Sequence, residues 1–493
     1  MKKIFIALFA AAALAGVSCT NLDENVYSQI QKDDFLSDDD NLALYTSRPY
    51  TLLQKWGREQ SMWTLILQLS NEVAVPKSWD GSWGEARYGE LQTHEIPASN
   101  KLVRLGWEFC FDGISACNDA IYSLENSGTQ TDGKKKSIAE IKILRAYYYL
   151  LAVDCFGNVP YSISKTETGY PEQKDRKFML NWIETEINDN INLLTEQPSE
   201  MTYGRVTKDV AKFLLAKIYL NSLEWTGTAR WTEAAAICKE IIDSKHYKLT
   251  DDYKDNFKIN NENSPEAILA IPYSSVYTKE CFYPFAITLN SDLAKIWKIG
   301  DTWNGTFMGQ PDFMATYDSK DVRKAASFLF GQVYDTSGKP WNYIEGLDAS
   351  GQQIVKPYIL EDVNIDEGKY KSGLGRLDGA RIIKWPYQSD GTLTTYTVSM
   401  ENDFILMRYA DVVLMYVEAL VRTDKASAAV EVADFKTIRT RAGLQPMTVA
   451  DLTLDNLLIE RQHELAMEGW SRQDLIRFGK YTQAWWAKPA CDD

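Results

Sequence analysis

The segment Val210–Leu220 constrains the fold more than any other: its only charged residues are Lys212 and Lys217, and the rest is apolar on every side. A helix of that pattern has no face to offer water and must be sandwiched between neighbours. The flanking sequence supplies candidates. Upstream, Ile141, Leu144, Tyr148, Leu151 and Cys155 step by three and four along one helical face. Downstream, after the turn Thr226-Gly227-Thr228, Ala234, Ala235, Cys238, Ile241 and Ile242 form the buried side of a helix from Trp231 to Ile242. Paired helices with small residues at their crossings predict a mostly α fold of tetratricopeptide-like helical hairpins, with a plain helical bundle as the alternative.

From about Lys245 to Asn402 the character changes, with more Gly, Asp, Asn, Tyr and Trp and shorter helical runs. This predicts an irregular, loop-rich lobe with a few short strands, among them Ala267–Tyr273 and Arg381–Tyr387. Helical pattern returns at Phe404–Arg422, where fifteen of nineteen residues are apolar and Arg408, Asp411, Glu418 and Arg422 fall on one stripe. Charges aligned in that way suit a buried helix pairing with other helices better than a membrane span. A last helix is expected from Leu457 to about Glu468. The chain thus divides into a leader over 1–18 and one domain over 19–493, made of a helical part (19–244), the irregular lobe (245–402) and C-terminal helices (403–493).

The leader carries Lys2 and Lys3, an apolar run from Ile4 to Val17, then Ser18 and Cys19, the pattern of an export signal with cysteine at its cleavage point. Its fourteen apolar or small residues fall short of the roughly 20 needed to span a bilayer. The segment resembles a bacterial lipoprotein signal, which implies acylation of Cys19, although Gly16 stands where Leu or Val is usual. Of the other cysteines, Cys110 and Cys117 are expected on one helix, about 10 Å apart along its axis, beyond disulfide reach. They read as small core residues.

Charge excludes one class of partner. With 53 basic against 68 acidic side chains the net charge is −15, and no basic stripe is present, so nucleic acid is not expected to bind. Loss of Lys2 and Lys3 with the leader would take the charge to −17, so a lipid rather than charge would hold the protein to a membrane. The three histidines, His94, His246 and His463, lie far apart and no Cys-x-x-Cys pair exists, so neither a zinc site nor a cofactor is expected.

Glu460, Glu464 and Glu468 stand at i, i+4 and i+8, a grouping that could serve acid–base or metal chemistry. Arg439, Arg441, Arg461, Arg472 and Arg477 lie close in sequence, and a salt-bridge network is the simpler reading. No Gly-x-Ser-x-Gly elbow, P-loop or dinucleotide fingerprint occurs.

Three blocks carry a family likeness. The first is Ala139-Glu140-Ile141-Lys142-Ile143-Leu144-Arg145-Ala146-Tyr147-Tyr148-Tyr149-Leu150 followed by Phe156-Gly157-Asn158-Val159-Pro160. The second runs from Arg408-Tyr409-Ala410-Asp411-Val412 through Glu418-Ala419 to Ile438-Arg439-x-Arg441-Ala442-Gly443-Leu444. The third is Glu460-Arg461-x-x-Glu464-Leu465-x-x-Glu468-Gly469 with Arg472-x-Asp474-Leu475-x-Arg477-x-Gly479. Together they resemble the SusD/RagB outer-membrane nutrient-binding lipoproteins of Bacteroidetes, and Cys19 followed by Leu22-Asp23 is similar to their mature start. The resemblance implies a non-catalytic, surface-exposed lipoprotein of the outer membrane built on four tetratricopeptide-like hairpins. It further implies that a glycan, or in some members a peptide, is captured and passed to a SusC-like TonB-dependent transporter.

The family's ligand contacts vary too much to carry over, so candidate residues come from chemistry. A sugar site combines exposed aromatic platforms with polar groups that fix orientation. Two stretches have that composition: Pro76–Tyr88, with Trp79, Trp83 and Tyr88, and the lobe segment with Trp297, Asp301, Trp303, Asn304 and Phe307, bordered by Tyr273 and Tyr277. A peptide-binding variant is the nearer competitor, since aromatic loops accept either ligand, and a surface glycoside hydrolase using paired carboxylates such as Asp301 or Asp312 is the alternative from another class.

Overall fold

The computed structural model describes residues 36, 39–58, 61–74, 86–196, 198–274, 276–278, 288–299, 307–361, 379–387, 400–485, 488 and 490–491. Its principal helices are α1 (Met62–Gln68), α2 (Lys101–Glu125), α3 (Asp132–Phe156), α4 (Arg176–Asn190), α5 (Lys208–Thr226) and α6 (Trp231–Ser244). After the irregular lobe come α7 (Tyr409–Arg422), α8 (Ala433–Arg441), α9 (Leu454–Glu464) and α10 (Ser471–Arg477). Local sequence sets the ends. Asn100 and Thr131 accept backbone N–H groups at the starts of α2 and α3, and Gly227 takes the left-handed conformation, φ 76°, that closes α5.

Neighbouring helices pack in sequence as hairpins, α2 on α3, α3 on α4, α4 on α5 and α5 on α6. The α2–α3 crossing is tight: a Cβ at Gly113 would lie 2.3 Å from the Tyr148 ring, which is pinned by its hydroxyl donating to the Pro49 carbonyl at 2.9 Å. Gly in a helix interior costs up to about 1 kcal/mol relative to Ala, whereas overpacking costs about 1–3 kcal/mol. Gly113→Ala is therefore expected to destabilise the protein by about 1–2 kcal/mol net, read as a lower denaturant midpoint. Cys110 and Cys117 are both buried in α2, as expected.

The sandwiched helix is α5. Its neighbours are α4, α6 and α7, and its inner lysine is buried with no exposed surface, the Lys217 Nζ lying 2.6 Å from Asp411 of α7 and 3.7 Å from the Trp470 ring centroid. Although 164 residues separate their ends in sequence, α6 and α7 pack directly on each other. The lobe is thus a long excursion inserted between two touching helices.

Three sequence readings need correction. Phe404–Arg408 is a strand rather than the start of a helix, paired antiparallel with Ala267–Ile271 so that Phe404 faces Ile271 and Arg408 faces Ala267. An all-apolar run cannot be assigned by periodicity alone, and here the free edge of Ala267–Ile271 decides. The second predicted strand shrinks to Arg381–Ile382. Finally, α9 stops at Glu464 because Met467 turns left-handed at φ 62°, which puts Glu468 outside the helix and lets α10 begin four residues later.

Candidate ligand-binding site

Two short strands, Val73–Ala74 and Met308–Gly309, pair antiparallel, with Val73 opposite Gly309 and Ala74 opposite Met308. The chain leaves Ala74 towards Trp79 and Trp83, and arrives at Met308 from Trp303 and Asn304. Because Ala74 and Met308 are partners, both stretches join the ladder at the same end. The far side of the first stretch returns to the same place: Tyr88 meets Phe307 edge-on, with ring centroids 5.2 Å apart. Two segments separated by more than 200 positions are therefore tied together at their roots. Trp79, Trp83, Asp301, Trp303 and Asn304 themselves lie outside the described residues.

Further contacts extend this neighbourhood. The Gly309 N–H donates to the Ala380 carbonyl at 2.9 Å, and the Gln310 N–H to the Glu72 carbonyl at 3.0 Å. The Thr288 hydroxyl donates to the Ile382 carbonyl at 3.1 Å. Near the lobe's edge Tyr277 is 89% exposed, whereas Tyr273 is buried, its hydroxyl donating to the Gln54 carbonyl at 3.1 Å.

Two aromatic candidates turn out to be core residues. Trp297 is only 8% exposed. It stacks on Tyr387 at 4.9 Å, and its indole N–H donates to the Tyr334 carbonyl at 3.0 Å. Both its face and its polar edge are thus taken. Tyr88 is 3% exposed, covered by Phe307 on one side and the Arg87 guanidinium, 5.1 Å from its centroid, on another. Neither offers a free platform, and each instead anchors the root of an aromatic segment.

The carboxylate stripe is structural. Glu460 meets Arg323 at 2.7 Å and also pairs with Arg439. Glu464 meets Arg441 at 2.6 Å, Arg408 at 2.8 Å and Arg323 at 3.1 Å, and Glu468 meets Lys384 at 2.7 Å and Arg408 at 2.9 Å. Burial works against the charged form of Glu464, but Arg441, Arg408 and Arg323 outweigh it and hold the carboxyl well below the usual range. Of the arginines flagged by proximity, only Arg439 and Arg441 serve this stripe. Arg461 pairs with Asp411 and Asp474, each at 2.9 Å, Arg477 with Glu418 at 2.7 Å, and Arg472 with Asp154 at 3.3 Å. The missing partners, Arg323, Arg408 and Lys384, come from parts of the chain too distant for spacing to reveal. A carboxylate held charged by several guanidinium groups is a poor general acid.

Known proteins fit this architecture. The chain matches the SusD family model over residues 244–490 and the model described as starch-binding associating with outer membrane over residues 22–220. It is 26% identical over 404 residues to the starch-binding protein SusD of Bacteroides thetaiotaomicron, covering 77% of this chain and 70% of that protein. A SusD-like protein of Bacteroides ovatus is 24% identical over 97% of this chain and 83% of its own length. Among solved structures, surface glycan-binding protein A from Bacteroides thetaiotaomicron, in complex with laminarihexaose, superposes with a TM-score of 0.71 at 21% identity over 92% of this chain and 94% of that one. A laminarin-binding SusD-like protein gives 0.68 at 21% identity, covering 90% and 92%. The chain belongs to the SusD family.

Proposed function

We propose that this protein is a non-catalytic, cell-surface glycan-binding protein of the outer membrane, whose site is built from the segments carrying Trp79 and Trp83 and carrying Trp303 and Asn304. The observation that supports it best is the Val73–Ala74 and Met308–Gly309 ladder, which roots both segments at one end of the same pair of strands. Aromatic residues carried by two segments with a shared root suit a chain of sugar rings, each with an apolar face and hydroxyls at its rim. Relatives named for binding starch and laminarin point to the same ligand class. The captured glycan would pass to a SusC-like TonB-dependent transporter, with an acyl chain on Cys19 as the anchor. Peptide capture is the alternative.

The test is retention on a panel of polysaccharides and peptides by the protein lacking its leader and Cys19, with products assayed for cleavage. Retention of a polysaccharide without turnover is expected. Peptide retention alone would shift the ligand class, and release of sugar would make the protein a hydrolase. For the anchor, Cys19→Ala is expected to yield folded protein lost from the membrane fraction, and unchanged membrane retention would contradict a lipid anchor.

A further inference from the structure

Near the ladder are two buried ionisable groups that, among the described residues, have no partner of opposite charge within ion-pairing distance. Lys488 is 2% exposed, and its amine donates to the carbonyls of Gln68 and Ser70, at the C-terminal end of α1. Glu72, 1% exposed, accepts the Met467 N–H at 3.1 Å and meets the Ser70 hydroxyl at 3.4 Å. Its backbone carbonyl receives the Gln310 N–H at 3.0 Å, and Val73 begins the ladder one residue on. Lys488 thus reaches the ladder through Ser70 and Glu72, a connection between residues more than 400 positions apart.

We propose that Lys488 and Glu72 are positioning residues for the ligand site: together they fix the ladder from which both aromatic segments spring, without touching ligand. The inference rests on the glycan-binding reading above. The chemistry favours the neutral form of each group over a permanent salt bridge. A neutral amine has two hydrogens, matching the two carbonyls at Lys488, and among the described residues no acceptor is bonded to a third N–H there. An unpaired charge buried from water is costly, so both groups lean towards neutrality. Burial raises the Glu72 carboxyl to about 8 and lowers the Lys488 amine to about 7.

The other charged groups facing Glu72 are already engaged. Lys384 is held by Glu468 at 2.7 Å and by the Ala466 carbonyl, and Asp474 by Arg461 and Arg477. Tyr317, whose hydroxyl burial keeps un-ionised, also lies near Glu72, and Lys488 feels the Glu72 charge. The signs follow. Glu72, raised from 4.5 to about 8, contributes stability that is full below pH 4.5 and is lost as pH rises through about 8. Lys488, lowered from 10.5 to about 7, contributes stability that is full above pH 10.5 and is lost as pH falls through about 7.

The experiment measures affinity for the retained polysaccharide and thermal midpoint from pH 5 to 10 in the wild type, Lys488→Met and Glu72→Gln. Lys488→Met is expected to weaken binding at least tenfold at pH 7.5 with helical content intact, and to remove the rise in midpoint above pH 7. Glu72→Gln is expected to remove the fall between pH 5 and 8. Affinity within twofold of wild type in both variants would overturn the positioning role. Should Lys488→Met fail to fold, Glu72→Gln decides alone, and an unaltered pH profile of affinity and midpoint overturns the proposal. If the wild type binds no polysaccharide, the glycan-binding reading fails, and the midpoint profiles still judge the pair: profiles parallel to wild type would refute it.

Discussion

Glu464→Ala is expected to destabilise the protein by about 3–5 kcal/mol, the range for removing one partner of a buried ion pair. The magnitude rests on what the change leaves behind. Glu464 is fully buried and answers three guanidinium groups, those of Arg323, Arg408 and Arg441, from three separate parts of the chain. Arg408 keeps Glu266 and Glu468, and Arg441 keeps Glu266, so part of the charge remains compensated. Glu464→Gln, which keeps the shape and one acceptor, should cost less than alanine. The same cluster predicts acid sensitivity. Burial opposes the charge on Glu266, yet Arg441 and Arg408 bring its carboxyl down from 4.5 to about 2. A depressed carboxyl contributes stability that is present above its unfolded value and disappears as pH falls, here between about 4.5 and 2. Urea titrations across that interval should show a falling midpoint in the wild type and a flatter dependence in Glu464→Gln.

The second large effect is on binding. A Trp on which a sugar ring stacks behaves as a hot spot worth about 2 kcal/mol, or roughly thirtyfold in Kd. Trp79→Ala and Trp303→Ala are each expected to weaken polysaccharide binding by about that factor, and the double variant by about a thousandfold if the contacts are independent. Trp297→Ala should behave differently. Its indole is buried against Tyr387 and bonded to the Tyr334 carbonyl, so the loss appears first as about 3–5 kcal/mol of stability. Calorimetry of ligand binding beside denaturant titration separates the two kinds of loss.

The helical part of this fold was legible because its signals are local. The stepping of Ile141, Leu144 and Tyr148 and the all-round apolarity of Val210–Leu220 identify α3 and α5 without reference to the rest of the chain. Where the outcome depended on a distant partner, the sequence misled. Phe404–Arg408 reads as helix until Ala267–Ile271 claims it, and Glu468 reads as the third carboxylate of a helical face until Met467 turns the chain. The same limit governs the aromatic residues. Composition identifies Trp297 and Tyr88 as sugar platforms, but only the tertiary neighbours Tyr387 and Phe307 reveal that their faces are covered. The pairing of the roots of the two Trp-bearing segments is likewise invisible in sequence, since it depends on two-residue strands that carry almost no local signal. Glu72 and Lys488 had none at all.

On the proposed reading these segments, more than 200 residues apart, form one glycan site. A double-mutant comparison tests it most directly: titrate one retained polysaccharide against the wild type, Trp79→Ala, Trp303→Ala and the double variant, each checked for unchanged thermal midpoint. One shared site predicts that either single change weakens binding to the same ligand by more than tenfold. Full affinity in either single variant would contradict it.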